Sequence, residues 1–264
     1  MNGALSGCRV LLTRVRQNDA LAQALRDAGA QVEAVALTRT VPGDITVRES
    51  AQALAASGEA AWLLLTSART LECLDLSGLS STTRVGVVGE ATAQAAANAL
   101  GHPVDLVAGG SAAAMLEAAE LAELAEPTES CQGSRRLVLL PGSALSSPLL
   151  AEGLQARGWQ VKVLPVYSTA PVAADALPEG LADRYQAGAF DVVVVTAGSG
   201  AWALSELLGL PPAGTVVATL GGPSARTARN LGLPAPPGAV ARRPRPDALV
   251  AAVAAAHKHL GEQA

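Results

Sequence analysis

The sequence predicts an α/β fold built twice: two flavodoxin-like, doubly wound parallel-sheet domains from an internal duplication, with a cleft between them. Three observations predict it. Apolar runs such as Leu63–Leu65 and Val192–Val195 are short and unbroken, the pattern of strands covered on both faces. Segments of helical spacing alternate with them along the chain, as parallel sheets require. The chain also repeats itself. GWQVKVLPVYSTAP (Gly158–Pro171) aligns without a gap on GAQVEAVALTRTVP (Gly29–Pro42). At nearly the same offset Asp191–Leu204 answers Ala61–Leu74, and Val216–Gly232 answers Val85–Gly101. A unit this long, seen twice, is a duplicated domain rather than a solenoid, which stacks shorter units at least three deep.

Taken in order, Cys8–Thr13 reads as a strand and Asn18–Ala28 as a helix, with Leu21, Ala24, Leu25 and Ala28 on one face and Gly29 as its stop. Gly29–Pro42 then reads as one strand longer than the usual five or six residues. Arg48–Ser57 is a helix, Trp62–Thr66 a buried strand, Ala68–Leu76 a helix, Val85–Val88 a strand and Ala91–Leu100 a helix stopped by Gly101. A short strand at Val104–Val107 precedes a helix over Ser111–Glu126, with Ser111 as N-cap. Pro127–Ser134 is polar and aperiodic, hence a loop. Arg136–Leu140 is a strand, Ser147–Arg157 a helix ended by Gly158, and the second long strand follows. Leu177–Ala187, Val192–Thr196, Ala201–Leu208, Val216–Leu220, Ala225–Leu231 and Asp247–His259 complete the alternation.

Composition excludes several function classes. A formal charge of −4 over 264 residues argues against nucleic acid as the main partner, and one Phe with two Tyr make no base-stacking platform. The apolar runs are far too short to span a bilayer, so no membrane partner is expected. MNGALSGCRVLL lacks the basic start and apolar core of a signal peptide. Cys8, Cys73 and Cys131 are odd in number and widely spaced, which fits a reducing cytoplasm and suggests neither a disulfide framework nor a metal site. A cytoplasmic monomer is expected.

In doubly wound sheets ligands bind beyond the carboxyl ends of the strands, where helices begin. Four such junctions stand out: Thr66-Ser67-Ala68-Arg69, Gly89-Glu90-Ala91-Thr92, Thr196-Ala197-Gly198-Ser199-Gly200 and Gly221-Gly222-Pro223-Ser224. Their hydroxyls serve as N-caps on one reading and, with the free N–H groups of the helix starts, as anion receptors on another. Four junctions in two repeat-related pairs point to a large anion held from both domains. Sharper motifs fail. Gly198–Ala203 fits a loosened GxGxxA pattern, but the next strand ends at Thr219-Leu220-Gly221 without the acidic residue that holds a ribose. His102, His257 and His259 compose no Ser/His/Asp set, and Glu117, Glu120, Glu123 and Glu126 read as the solvated face of one helix. Tyr167 stands where the first copy has Thr38, either as strand packing or as a donor beside the cleft.

These residues resemble the uroporphyrinogen-III synthase family. The resemblance covers nearly the whole chain and rests on Leu11-Leu12-Thr13-Arg14, Leu65–Arg69, Val88–Ala93, Pro165–Thr169, Gly221–Ala225 and Arg245–Leu249, in that order. It implies that residues 1–35 and 170–264 form one discontinuous α/β domain and residues 36–169 the other, with connector strands near 32–40 and 161–168. It further implies a cofactor-independent lyase that cyclises hydroxymethylbilane, a linear tetrapyrrole with eight carboxylates, losing water and inverting ring D. By this likeness Tyr167 assists departure of the hydroxyl, while Thr66, Ser67, Thr92, Thr196, Ser199 and Ser224, with N–H groups near Gly89 and Gly221, hold carboxylates and Arg14 and Arg69 pair with charge. The chain departs from the family at Ala197-Gly198, where Ser-Pro is frequent, and at Gly222-Pro223-Ser224, where Pro-Thr-Thr is common. The alternative implied by the resemblance is a non-catalytic tetrapyrrole-binding or regulatory protein of the same fold. Some relatives carry an appended helix-turn-helix module; none follows here, which turns the expectation toward the enzyme.

Overall fold

The structure, a computed structural model, describes residues 3–16, 18–122, 136–243 and 245–261. The expected loop Pro127–Ser134, Cys131, Glu123 and Glu126 lie outside the described residues. The elements run β1 (Arg9–Leu12), α1 (Ala20–Asp27), β2 (Gln31–Ala34), β3 (Thr38–Pro42), α2 (Ile45–Ser57), β4 (Ala60–Leu65), β5 (Arg84–Val87), α3 (Glu90–Leu100), β6 (Leu106–Val107) and α4 (Ala112–Leu116). They continue with β7 (Leu137–Ser143), α5 (Leu149–Gln155), β8 (Gln160–Pro171), α6 (Leu181–Gln186), β9 (Val192–Val195), α7 (Gly198–Leu207), β10 (Val216–Leu220), α8 (Gly222–Asn230), β11 (Val240–Ala241) and α9 (Pro246–Gly261). None of the described helices is long and apolar enough to cross a membrane.

The chain divides into two compact units, Met1–Arg39 with Ala170–Ala264, and Thr40–Thr169. In the first unit the sheet order is β11-β10-β9-β1-β2 with every pairing parallel. Numbered within the unit this is 2-1-3-4-5, the flavodoxin-like order. Strand alternation sends Val10, Leu12, Val192, Val194, Val216 and Ala218 to one face, against Leu21 and Leu25 of α1 and Leu249 and Val253 of α9. Leu11, Val193, Val195 and Val217 face the other way, against Leu181 and Tyr185 of α6, Leu204 of α7 and Ala228 of α8. Both faces are therefore covered, which is why Val192–Val195 is apolar at every position.

The second unit carries the order β3-β8-β7-β4-β5-β6, with parallel pairing from β8 to β6. Apart from the edge strand β3, this is the first unit's order with β7 and β8 in the places of β1 and β2, and β4, β5 and β6 in those of β9, β10 and β11. Leu63, Leu65, Val85 and Val87 pack on Ala51 and Ala55 of α2 and Ala96 of α3. Trp62, Leu64, Val138 and Leu140 face Met115 of α4 and Leu150 and Leu154 of α5.

Four sequence expectations are corrected. Gly29–Pro42 is not one strand: β2 stays with β1, and the extended backbone breaks at Val35–Leu37 before β3 begins. Val35 and Leu37 are both buried in the first unit's core, so their side chains hold the break. Gly158–Pro171 does remain one strand, as β8. Ala68–Leu76 contains only a 3₁₀ turn, Ala68–Glu72. Beyond it Asp75 accepts from the backbone and hydroxyl of Ser77, a local turn that competes with helix, while Leu74 and Leu76 enter the core. The helix expected over Ser111–Glu126 keeps its Ser111 N-cap but ends at Leu116, whose carbonyl receives Arg157 Nη1, so Glu117 and Glu120 share no helix. The expected Leu177–Ala187 helix begins only at Leu181. Two-residue β11, which pairs with β10, was invisible in the sequence pattern.

Ion pairs set the acid limit of the first unit. Burial pushes the Asp191 carboxyl up, but bonds from the Arg9 side chain and backbone N–H outweigh this and hold it below its usual value. The Arg184 guanidinium likewise lowers Glu33, a largely exposed pair. A depressed folded pKa contributes stability that is present above the unfolded value, near 4, and lost as pH falls through the folded value. Urea midpoints should therefore be flat from about pH 8 to 5 and fall below about pH 4, less steeply for Asp191→Asn measured against its own pH 7 value. Midpoints that do not change between pH 5 and 3 would contradict this.

Candidate functional site

The carboxyl ends of β1, β9 and β10 lie side by side, because these strands are parallel neighbours. Thr13, just past β1, donates from Oγ1 to the Val194 carbonyl at 2.9 Å and ties two of these ends together. After β9 the chain turns through Thr196 and Ala197 directly into α7 at Gly198, so Ser199 sits in the first helical turn and is half-buried. A Cβ at Gly198 would lie 2.9 Å from Thr227 Oγ1 of α8, so the glycine permits the close seating of these two helices. After β10, Gly221 has φ 94°, a conformation that favours glycine, and it swings the chain into α8. Ser224 is buried and its Oγ donates to the Leu220 carbonyl at 3.4 Å.

Arg14 follows β1 and forms a two-pronged pair with Asp19, Nε to Oδ2 at 2.9 Å and Nη2 to Oδ1 at 2.6 Å. Asp19 also caps α1 by accepting the Leu21 N–H at 3.0 Å. Burial pushes the Asp19 carboxyl up, yet the bonds from Arg14 and Leu21 hold it below its ordinary value, so it is ionised at neutral pH. Arg14 thus reaches any ligand with its charge partly matched. The pair borders a cavity of about 590 Å³, with Arg16, Asn18 and Gln23 on its walls. Sequence reasoning selected Arg14 and missed Asp19, although the five-residue spacing into a helix start was a visible signal.

In the second unit β4, β5 and β7 end together. Ser67 caps the 3₁₀ turn by accepting the Arg69 N–H at 3.3 Å, and Arg69 is half-buried. Gly89 is extended at φ −170° and its carbonyl accepts the N–H groups of Thr92 and Ala93, opening α3. Thr92 is 6 % exposed. Tyr167, on β8, pairs in register with Ser143 of β7, and its ring joins Leu65, Leu164 and Val166 in the core at 5 % exposure. Among the described residues the buried side-chain polar atoms without a partner are Trp62 Nε1 and Thr219 Oγ1. The Tyr167 hydroxyl makes no hydrogen bond to another described residue. The other tyrosine, Tyr185, differs: its hydroxyl donates to the Gly209 carbonyl and burial pushes its pKa up.

The structure adds a feature that sequence reasoning passed over, a cavity of about 310 Å³ at the end of β7 where Thr66, Ser143, Ser146 and Ser147 converge. The run Gly142-Ser-Ala-Leu-Ser-Ser147 after a strand was the signal, of the same kind as the four junctions selected. At the opposite, amino edge of the first unit, Cys8, Asp191 and His257 bring one ligand atom each within 4.8 Å of one another. Arg9 already engages both carboxylate oxygens of Asp191, and burial with the Asp191 charge pushes the Cys8 thiol up to about 12. Cys8 and Cys73 are free thiols.

Fold and site together define a class: α/β proteins of two doubly wound units, with hydroxyls and helix starts along the carboxyl edge of each sheet. A family model described as uroporphyrinogen-III synthase HemD matches residues 19–251, and the chain belongs to that family. No curated protein sequence matches it. Two solved structures share its fold. A mutant uroporphyrinogen III synthase from the extremely thermophilic bacterium Thermus thermophilus is 18 % identical with a TM-score of 0.55, over 98 % of this chain and 100 % of that one. A uroporphyrinogen-III synthetase from Helicobacter pylori is 13 % identical with a TM-score of 0.56, over 92 % and 96 %.

Proposed function

We propose that the chain is a cofactor-independent uroporphyrinogen-III synthase, which cyclises hydroxymethylbilane with loss of water and inversion of ring D. The observation that carries this reading is family membership across residues 19–251, with hydroxyl-bearing turns on the carboxyl edges of both sheets beside it. A linear tetrapyrrole with eight carboxylates suits such edges, since helix N-termini and hydroxyls receive carboxylates without a metal. The two units then represent a duplicated domain, supported by the sequence echoes and the shared strand order. The hydroxyl leaves readily, so the acid–base demand is modest. Most of the work is to fold the bilane so that the substituted position of ring D is attacked, a proximity effect.

Tyr167 donates to the departing hydroxyl in this scheme. Thr66, Ser67, Thr196 and Ser199 offer side-chain hydroxyls on half-exposed turns. Thr92 and Ser224, being buried, contribute chiefly by shaping the first turns of α3 and α8, whose backbone N–H groups near Gly89 and Gly221 meet carboxylates. Arg14 and Arg69 supply charge. The deciding experiment is incubation with freshly prepared hydroxymethylbilane, oxidation, and separation of isomers. An excess of isomer III over spontaneous closure is expected, and isomer I alone would remove the synthase reading in favour of a binding protein of this fold.

A distributed grip has its own consequence. Each hydroxyl contact to a carboxylate is worth about 1.5 kcal/mol, so Thr66→Ala should weaken activity about ten-fold without abolishing it. Ser224→Ala should cost less, because its hydroxyl already bonds the Leu220 carbonyl. Thr66→Ala combined with Thr196→Ala should cost roughly the sum. Complete loss of activity from Thr66→Ala alone, in a folded protein, would contradict the distributed grip.

A further inference from the structure

The cavity at the end of β7 has a floor and a polar rim. Leu64, Leu140, Leu150 and Val163 supply apolar wall, and the rim carries the Thr66 and Ser146 hydroxyls. Between these two hydroxyls the chain has no side chain: a Cβ at Gly142 would lie 3.5 Å from Ser146 Oγ and 3.8 Å from Thr66 Oγ1. Ser143 and Ser147 are occupied as turn acceptors, taking the Leu145 N–H at 3.1 Å and the Leu149 N–H at 3.3 Å. Thr66 and Ser146 make no side-chain hydrogen bond among the described residues, so both hydroxyls are available to a guest. The volume, about 310 Å³, is at the small end for ligand pockets and suits one ring rather than four.

We propose that this cavity receives one carboxylate-bearing pyrrole ring of the substrate, a reading that rests on the synthase assignment above. The ring lies on the apolar wall, and its carboxylate enters the gap left by Gly142 to accept from Thr66 and Ser146. Gly142 is thereby a specificity-determining position: its missing side chain is the room for the carboxylate. Because a Cβ there meets its neighbours only at ordinary contact distance, Gly142→Ala fills the gap while the strand stays intact. Ser146, on an exposed turn, gives a second variant whose folding is not in question.

The test has two arms. In the first, Gly142→Ala and Ser146→Ala are assayed for isomer III formation. Loss of one hydrogen bond to a charged group corresponds to about ten-fold or more in affinity, so KM should rise about ten-fold with a smaller change in kcat. In the second arm, pyrrole-3-propionate is titrated into the labelled wild-type chain and amide shifts are followed. Shifts at Gly142–Ser147 and Thr66 are expected, weaker with pyrrole or propionate alone. An unchanged KM in both variants of an active enzyme overturns the pocket and leaves the synthase reading standing. Isomer I alone from the wild type, with shifts still at Gly142–Ser147, overturns the synthase reading and leaves a carboxypyrrole site. Shifts confined to other residues overturn the pocket whatever the activity.

Discussion

Tyr167→Phe is expected to lower turnover by roughly ten- to a hundred-fold while leaving stability within about 1 kcal/mol. The two halves of this result have separate physical origins. The ring is 5 % exposed, packed with Leu65, Leu164 and Val166, and phenylalanine fills the same volume. The hydroxyl makes no hydrogen bond to the described residues, so removing it leaves no orphaned partner in the core. Side-chain acid assistance is typically worth 10²–10⁴-fold, and a labile leaving group places the effect at or below the low end. The remaining product should still be isomer III, since ring inversion depends on how the bilane is folded rather than on this proton. Turnover and the I-to-III ratio, corrected for spontaneous closure, are the measurements. A Tyr167→Phe protein with undiminished turnover would take Tyr167 out of the mechanism.

Trp62→Ala is expected to carry the largest stability loss in the second unit, about 3–5 kcal/mol. Trp62 is 1 % exposed and packs among Leu64, Met115, Val138 and Leu150, with the Arg84 guanidinium 4.2 Å from its ring centre. Truncation forfeits the burial, opens a cavity between α4, α5 and the sheet, and removes a cation–π contact. Domains have only about 5–15 kcal/mol to lose, so the second unit should melt early. Trp62→Phe should cost less than truncation, because it also removes the buried indole N–H that has no acceptor. Hydrogen exchange should speed up in β4 and β7 while β9 and β10, in the other unit, stay protected. A stability change below about 1.5 kcal/mol for Trp62→Ala would show that this core relaxes around the loss.

The strand-to-helix turns of the candidate site were legible because their signals are local. Hydroxyls after apolar runs mark strand-to-helix turns, and the structure puts Ser67, Ser199 and the Gly221 turn at such places. What the hydroxyls touch was not legible. Ser224 and Thr66 look alike in sequence, yet one bonds the Leu220 carbonyl and the other opens onto a cavity. Arg14, expected to pair with charge on a ligand, is paired with Asp19.

The sequence by itself determined the alternation of strands and helices, since unbroken valine runs and helical spacing are properties of a few consecutive residues. Val192–Val195 could be little else than a strand covered on both faces. It also determined family membership, through motifs strung along the whole chain. Only the tertiary structure decided where Gly29–Pro42 breaks. Val-Ala-Leu at 35–37 continues an extended pattern as well as any residues could, and the break exists because Val35 and Leu37 find the first unit's core. The Gly142 gap belongs to the same kind of fact. It is defined by Thr66 and Ser146, residues far apart in the chain that meet only because β4 and β7 pair, and pairing partners are not written in any local period.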